Sequence, residues 1–310
     1  MPEQVRKVSL ETVCLDRGVK PQCRWASRGN EIQSMPIFET EFGQIETVEH
    51  GAGAQAFVMV HAAGAGPRAF DRLIQLLASE HRRFVAGARI GYGNTQLDGD
   101  GDLITQNTAA TDALVSHVAR KDTVLLGHSM GGLISLLSAA NGVSTGVGNL
   151  KALILYDPIL VTLLQTDVEA ERTALEWDRT IIAKLQAEVA AGRPDVGVQA
   201  FIEAWNGQPW HKLPESVRKQ FIGLAEILVA ETAATSYYPL EEEMLRQLGI
   251  PTLILIGERS PALIHLAAAR ASELIPNAVV ELISGVDHMG PVNNPKLIAP
   301  AIERFLEGLS

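Results

Sequence analysis

The chain has 310 residues, 46% of them hydrophobic and 20% charged, with 27 Gly and 15 Pro. This is ordinary globular composition, and the length allows one large core plus a smaller insertion. A formal charge of −10 and a pI near 5.3 exclude the basic face that a nucleic-acid partner requires and disfavour an anionic lipid surface. The two cysteines, Cys14 and Cys23, form no zinc-type cluster, and no apolar run reaches membrane length or resembles a secretory leader. The expectation is a protein of the cytoplasm that needs no cofactor or metal, has a small-molecule substrate as partner, and binds neither nucleic acid nor membrane. Its oligomeric state is not encoded in any pattern.

Residues 1–34 mix polar residues with isolated apolar ones at no regular period and are expected to be a tail or extension. From Pro36 the pattern becomes strand-rich. Ile37 to Glu41 and Gln44 to His50 flank a turn at Gly43, and Ala56 to His61 is a continuous apolar run of the buried kind. Arg83 to Ala88, Thr123 to Leu126, Lys151 to Tyr156, Pro251 to Gly257 and Val279 to Ser284 are further short strands. Helical patterns such as Ala69 to Ser79 and Thr105 to Ala119 separate them. That alternation predicts an α/β protein with a mostly parallel, doubly wound sheet. The rhythm stops over 158–248, where amphipathic helical patterns (Glu169 to Ala191, Val196 to Trp205, Glu215 to Ala233) run without a strand. Helices inserted between two strands of one sheet are expected to lie over its end as a lid, on a core made of 35–157 and 249–310.

Gly127-His128-Ser129-Met130-Gly131 places G-x-S-x-G directly after the apolar run Val124-Leu125-Leu126 and before a helical pattern from Met130 to Ala140. With Gly at about 7% of residues, the bare motif arises by chance in roughly one chain in ten of this length; the strand before and helix after make it far more specific. A reversal this tight strains the central residue, and the flanking glycines let neighbouring chains approach. Ser129 would then be exposed at the carboxyl end of the sheet, under the dipole of the following helix. On this motif the chain resembles the α/β-hydrolase superfamily from about residue 36 to residue 308. The resemblance implies an α/β-hydrolase fold with an inserted helical lid, and Ser129 as nucleophile. Val60-His61-Ala62-Ala63-Gly64 is similar to the family's loop after the third strand, with Ala62 in place of the commoner glycine. Residue-by-residue matching makes the amides of Ala63 and Met130 the oxyanion-hole donors. His61 reads better as a structural histidine closing that loop, and Arg89-Ile90-Gly91-Tyr92-Gly93-Asn94-Thr95 as a structural turn.

A serine hydroxyl needs a partner that titrates near neutrality, and histidine is suited to that. Of eight histidines, His288 in Gly285-Val286-Asp287-His288-Met289 follows the last strand pattern and precedes the final helix. The family carries its base there, after the serine in chain order. The acid that would orient the imidazole is less plain. The family's usual position, after Pro251 to Gly257, is Ser260 here. Asp157, at the end of Leu153-Ile154-Leu155-Tyr156 and stopped by Pro158, is the expected replacement. Glu258 is the rival, and Asp157 capping the lid's first helix is the structural alternative.

Phe201, Trp205, Trp210, Phe221, Tyr237 and Tyr238 concentrate in the insertion of a chain otherwise poor in aromatics. Trp205 and Trp210 are expected to line an apolar substrate chamber, against the alternative that these rings pack the lid onto the core. No Arg or Lys cluster near the motifs suggests a phosphate group. The expected function is hydrolysis of a small, largely apolar carboxylic ester through an acyl-enzyme. A carbon–carbon bond hydrolase or lyase using the same Ser and His, and a non-catalytic ligand receptor on the same scaffold, stay open.

Overall fold

The computed structural model describes residues 37–40, 43–97, 102–118, 122–145 and 150–309. The expected tail at 1–34, with Cys14 and Cys23, lies outside the described residues. Nine strands form one sheet: β1 (Ile37–Thr40), β2 (Gly43–Gly51), β3 (Gln55–Val60), β4 (Arg82–Gly87), β5 (Gln96–Leu97), β6 (Thr123–His128), β7 (Leu150–Tyr156), β8 (Thr252–Gly257) and β9 (Ala278–Ile283). Their order is β1-β2-β4-β3-β6-β7-β8-β9, with β5 on β2. β1 and β5 pair antiparallel with β2, and β2 with β4; every pair from β4 to β9 is parallel. The apolar runs become central strands because a parallel sheet covered on both faces buries every residue of the run. β6 and β8 are buried throughout.

One face carries α1 (Asp71–Leu77) and α10 (Pro295–Glu307), packed through Leu73, Ile74, Ile298 and Ile302 on Phe57, Leu126 and Ile154. The other carries α2 (Leu103–Val118), α3 (Met130–Thr145) and α9 (Ala262–Leu274) on Val58, Leu125 and Leu155. Asp102 starts α2 by accepting the amides of Ile104 and Thr105 on Oδ1 (2.9 and 3.0 Å). Helix α9 has no counterpart among the predicted elements. Its buried residues Leu263, Ile264, Ala267, Ala268 and Ala271 nonetheless repeat at helical spacing.

Between β7 and β8 run α4 (Glu169–Ala190), α5 (Pro194–Asn206), α6 (Glu215–Gly223), α7 (Ala225–Tyr237) and α8 (Glu242–Arg246). No strand occurs there among the described residues. The helical pattern predicted over Glu215 to Ala233 is two helices: Gly223 is a poor helix former, and the Leu224 amide turns back onto the Phe221 carbonyl at 3.0 Å. The insertion is tied to the core by polar links, one part-buried and one fully buried. Arg270 of α9 pairs with Glu171 of α4 at 3.0 Å, and Arg89, after β4, pairs with Glu231 of α7 at 2.5 Å.

Candidate active site

The carboxyl edge of the parallel strands gathers the candidate side chains, as expected where βα connections leave the sheet. Ser129 follows β6 at φ 57° and Asp157 follows β7 at φ 45°, the positive-φ non-glycine residues of the described chain. Such backbone is strained for a residue with a Cβ and persists only where the surroundings enforce it. Around Ser129 the enforcement is visible. A Cβ on Gly131 would lie 2.1 Å from the Val60 carbonyl oxygen, and one on Gly127 would lie 2.3 Å from that of Gly131, so only glycine permits the turn.

The Ser129 hydroxyl donates to His288 Nε2 at 2.9 Å, and His288 Nδ1–H donates to Asp157 Oδ2 at 3.0 Å. All three residues are buried. The Asp157 carboxylate also accepts the Gly257 amide on Oδ1 (3.0 Å) and the Ser260 hydroxyl on Oδ2 (2.5 Å). Ser260, at the position where the resemblance implied an acid, thus serves as a donor to the acid that comes from the neighbouring strand end. Glu258 is not brought to the imidazole. It lies in the turn after β8, is exposed and accepts the Gly285 amide at 2.7 Å. Asp287 turns its carboxylate to the Met289 amide (2.9 Å), and its carbonyl accepts the Tyr156 hydroxyl (2.7 Å), which pins the loop carrying His288.

Ala63 and Met130 line a chamber together with Ser129 and His288. The Ala63 amide donates to no carbonyl among the described residues, and the Met130 amide, first in α3, has no intrahelical acceptor to reach. Two free amides beside a serine can hold a developing oxyanion. The loop bearing Ala63 is clamped from below. His61 donates from Nδ1 to the Ala62 carbonyl (2.9 Å) and accepts the Arg89 amide on Nε2 (3.0 Å), while Arg89 Nε donates to the His61 carbonyl (2.9 Å). Burial, then the Arg89 cation, holds the His61 pKa well below its ordinary value, so this ring stays neutral. His128, inside the turn, donates from Nε2 to the His288 carbonyl at 2.7 Å. Burial, then His288, lowers its pKa to about 3.

The sequence model of the alpha/beta hydrolase family matches residues 57–301. The chain belongs to the alpha/beta hydrolase family. It is 24% identical over 254 residues to a non-heme haloperoxidase of Rhodococcus erythropolis, covering 77% of this chain and 87% of that protein. Among solved structures it resembles the bromoperoxidase of Bacillus anthracis (TM-score 0.69, 19% identity, 88% of this chain and 99% of that one). It also resembles an esterase of Exiguobacterium antarcticum (TM-score 0.68, 19% identity, 87% and 98%). At these identities the structural likeness speaks for the hydrolase fold. No helix among the described residues is long and apolar enough to cross a membrane, and they contain no group of His, Cys, Asp and Glu able to hold a metal.

The hydrolase chamber encloses about 630 Å³ of space between atoms, counting the part open to solvent. The insertion supplies much of its wall through Phe201, Ile202, Trp205 and Phe221. The Trp205 ring lies 4.9 Å from the His288 ring, centroid to centroid. Trp210 does not line the chamber. It is buried against Phe221 at 6.4 Å, its amide bound to Glu203 at 2.7 Å. Its short 3-10 turn, Trp210–Lys212, places it behind the wall. Tyr237 is 82% exposed. Two acidic wall residues were not among the predicted ones, Asp178 of α4 and Glu231 of α7. Each sits on the buried stripe of its helix: Asp178 among Leu175, Ile182 and Leu185, and Glu231 beside Leu228, Thr232 and Thr235. An acid at an apolar position of an amphipathic period is the signal that could have found them.

Proposed function

We propose that this alpha/beta hydrolase cleaves small, largely apolar carboxylic esters, with Ser129 as nucleophile, His288 as general base and acid, Asp157 as the orienting acid, and the amides of Ala63 and Met130 as oxyanion hole. The observation that carries this reading is the unbroken hydrogen-bond path from Ser129 through His288 to Asp157, at 2.9 and 3.0 Å, at the mouth of an apolar chamber. Ser129 Oγ attacks the ester carbonyl as its proton passes to His288 Nε2, and the carbonyl oxygen becomes an oxyanion between the two amides. Collapse expels the alcohol, which takes the proton from His288 and leaves an acyl-enzyme. Water then repeats the sequence: His288 takes its proton, the hydroxide adds to the acyl carbon, and the acid departs as Ser129 regains its hydrogen. Asp157 stays ionised throughout. It keeps Nδ1 protonated, so that Nε2 is the basic nitrogen, and it stabilises the imidazolium. The helices of 158–248 act as the lid, with Trp205 bounding the acyl or alcohol group next to the base.

The test is labelling by a fluorophosphonate probe together with hydrolysis of p-nitrophenyl butyrate. Labelling at Ser129 and a burst of nitrophenol are expected, and both disappear in Ser129→Ala. Absence of labelling above that control would overturn the catalytic reading. Turnover confined to vinylogous diketones would transfer the same residues to carbon–carbon hydrolysis.

A further inference from the structure

The acids buried among the described residues are Glu46, Asp157, Glu171, Asp178, Glu231 and Asp287. All but one are satisfied inside the protein. Glu46 accepts from Asn94, Asp157 from Gly257, Ser260 and His288, and Glu171 from Gln165 and Arg270. Glu231 accepts from Arg89 and Tyr92, and Asp287 from the Met289 amide. Asp178 is 4% exposed, and among the described residues it has neither a hydrogen-bond donor nor an ion-pair partner. Its neighbour Arg179 is exposed on the outer face of α4. An unpaired carboxylate in an apolar wall costs several kcal/mol relative to water. Burial accordingly pushes the Asp178 carboxyl up to about 6, with Arg179 opposing only in part.

The chamber shows what would compensate that cost. Asp178 shares the wall with Phe201, Trp205 and Asn206, and the Phe201 and Trp205 rings lie 6.3 Å apart. Trp205 also meets Trp177, the residue before Asp178, at 5.5 Å, and His288 at 4.9 Å. The unpaired acid therefore lines the same chamber as the reacting serine and these two rings. A carboxylate beside aromatic faces is the arrangement that receives an alkylammonium, by charge and by the ring quadrupoles together. The other acid of the chamber, Glu231, is already neutralised by Arg89, and the net charge of −10 draws cations toward the molecule.

We propose that Asp178 is a specificity-determining residue whose carboxylate receives an ammonium group carried by the substrate, so that the preferred substrates are esters bearing a quaternary or protonated amine. The proposal rests on the ester-hydrolase reading for its chemistry, but the binding it requires does not depend on turnover. It is tested with isosteric pairs. On the acyl side these are p-nitrophenyl 5-(trimethylammonio)pentanoate and p-nitrophenyl 6,6-dimethylheptanoate; on the alcohol side, butyrylcholine and 3,3-dimethylbutyl butyrate. The cationic member of at least one pair is expected to have a kcat/KM about tenfold above its neutral isostere, and Asp178→Asn to abolish that preference. The variant changes the overall charge by a single unit, so long-range attraction persists and the ratio reports the local carboxylate. It also removes an unfavourable buried charge, so it should melt no lower than the wild type. Turnover of all four esters with no cation preference, or with the same preference in Asp178→Asn, overturns the proposal and leaves the hydrolase reading intact. If no ester is turned over, the hydrolase reading fails. Calorimetric titration with n-butyltrimethylammonium then decides: binding to the wild type that is lost in Asp178→Asn sustains the ammonium site, and no binding removes it.

Discussion

Replacing Glu231 by Gln breaks a charge pair that joins helix α7 of the insertion to the loop under the Ala63 amide. Arg89 and Glu231 are 3% and 1% exposed at the side chain, with 2.5 Å between Nη1 and Oε1. Glu231 Oε2 also accepts the Tyr92 hydroxyl (2.8 Å), and that hydroxyl oxygen accepts the Gly64 amide (2.7 Å). Burial works to lower the Arg89 pKa, and Glu231 with Tyr92 outweighs it and raises it; Glu231→Gln removes most of that support, yet a guanidinium is not deprotonated in proteins, so the charge stays behind. Arg89 Nη2 already lacks a hydrogen-bond partner, and the cation is buried where it sits. Breaking one side of such a pair costs about 3 to 5 kcal/mol, a large share of a total stability of about 5 to 15 kcal/mol. The melting temperature should fall on the order of 10 °C. Replacing both members, Arg89→Met with Glu231→Leu, removes the stranded charge and should recover most of the loss. It also frees the His61 carbonyl from Arg89, so kcat should drop even where stability returns. Urea unfolding followed by tryptophan fluorescence measures all three variants as a double-mutant cycle. A loss below about 1 kcal/mol in Glu231→Gln, or a double variant as unstable as that single one, would refute the reasoning.

Asp157→Asn should lower kcat/KM by on the order of a thousandfold or more, as in the serine-protease precedent, while Glu258→Gln stays within about threefold; the reverse pattern in steady-state kinetics would reassign the acid. Trp205→Ala should change relative rates across acyl chain lengths, whereas Trp210→Ala should cost about 3 to 5 kcal/mol in urea unfolding and slow all substrates alike. Gly131→Ala should fail to fold or lose probe labelling of Ser129, because its Cβ meets the Val60 carbonyl; normal labelling would contradict the elbow geometry. The Asp178 carboxyl, raised to about 6, binds its proton more tightly in the folded state. Its contribution to stability is therefore complete below about pH 4 and lost as pH rises through 6. Asp178→Asn should accordingly be more stable than the wild type by at most about 3 kcal/mol at pH 8 and equal to it near pH 4 in urea titrations. His128, lowered to about 3, has the opposite sign: its contribution is present above about pH 6.5 and lost on acidification, in both proteins.

The sequence by itself determined the sheet, the helical insertion and the sheet edge at which Ser129 and His288 meet. These follow from local signals: buried runs such as Val124 to Leu126, helical periods, and a glycine-flanked serine that can occupy only one kind of turn. It also narrowed the residue facing the histidine to a few acids, because only strand ends reach that edge. What it could not decide was orientation across elements. Asp157 and Glu258 each follow a strand of the right kind, and only the parallel pairing of β7 with β8 turns Asp157 and Ser260 together toward His288 while Glu258 faces solvent. Trp205 and Trp210 are five positions apart in one aromatic-rich stretch, and the end of α5 between them puts one ring on the chamber and the other behind it. Arg89 and Glu231, or the rings of Trp177 and Trp205, are too distant in sequence for any periodicity to couple them. Contacts of that kind depend on where whole helices come to rest, which is set by the packing of the inserted helices on the core.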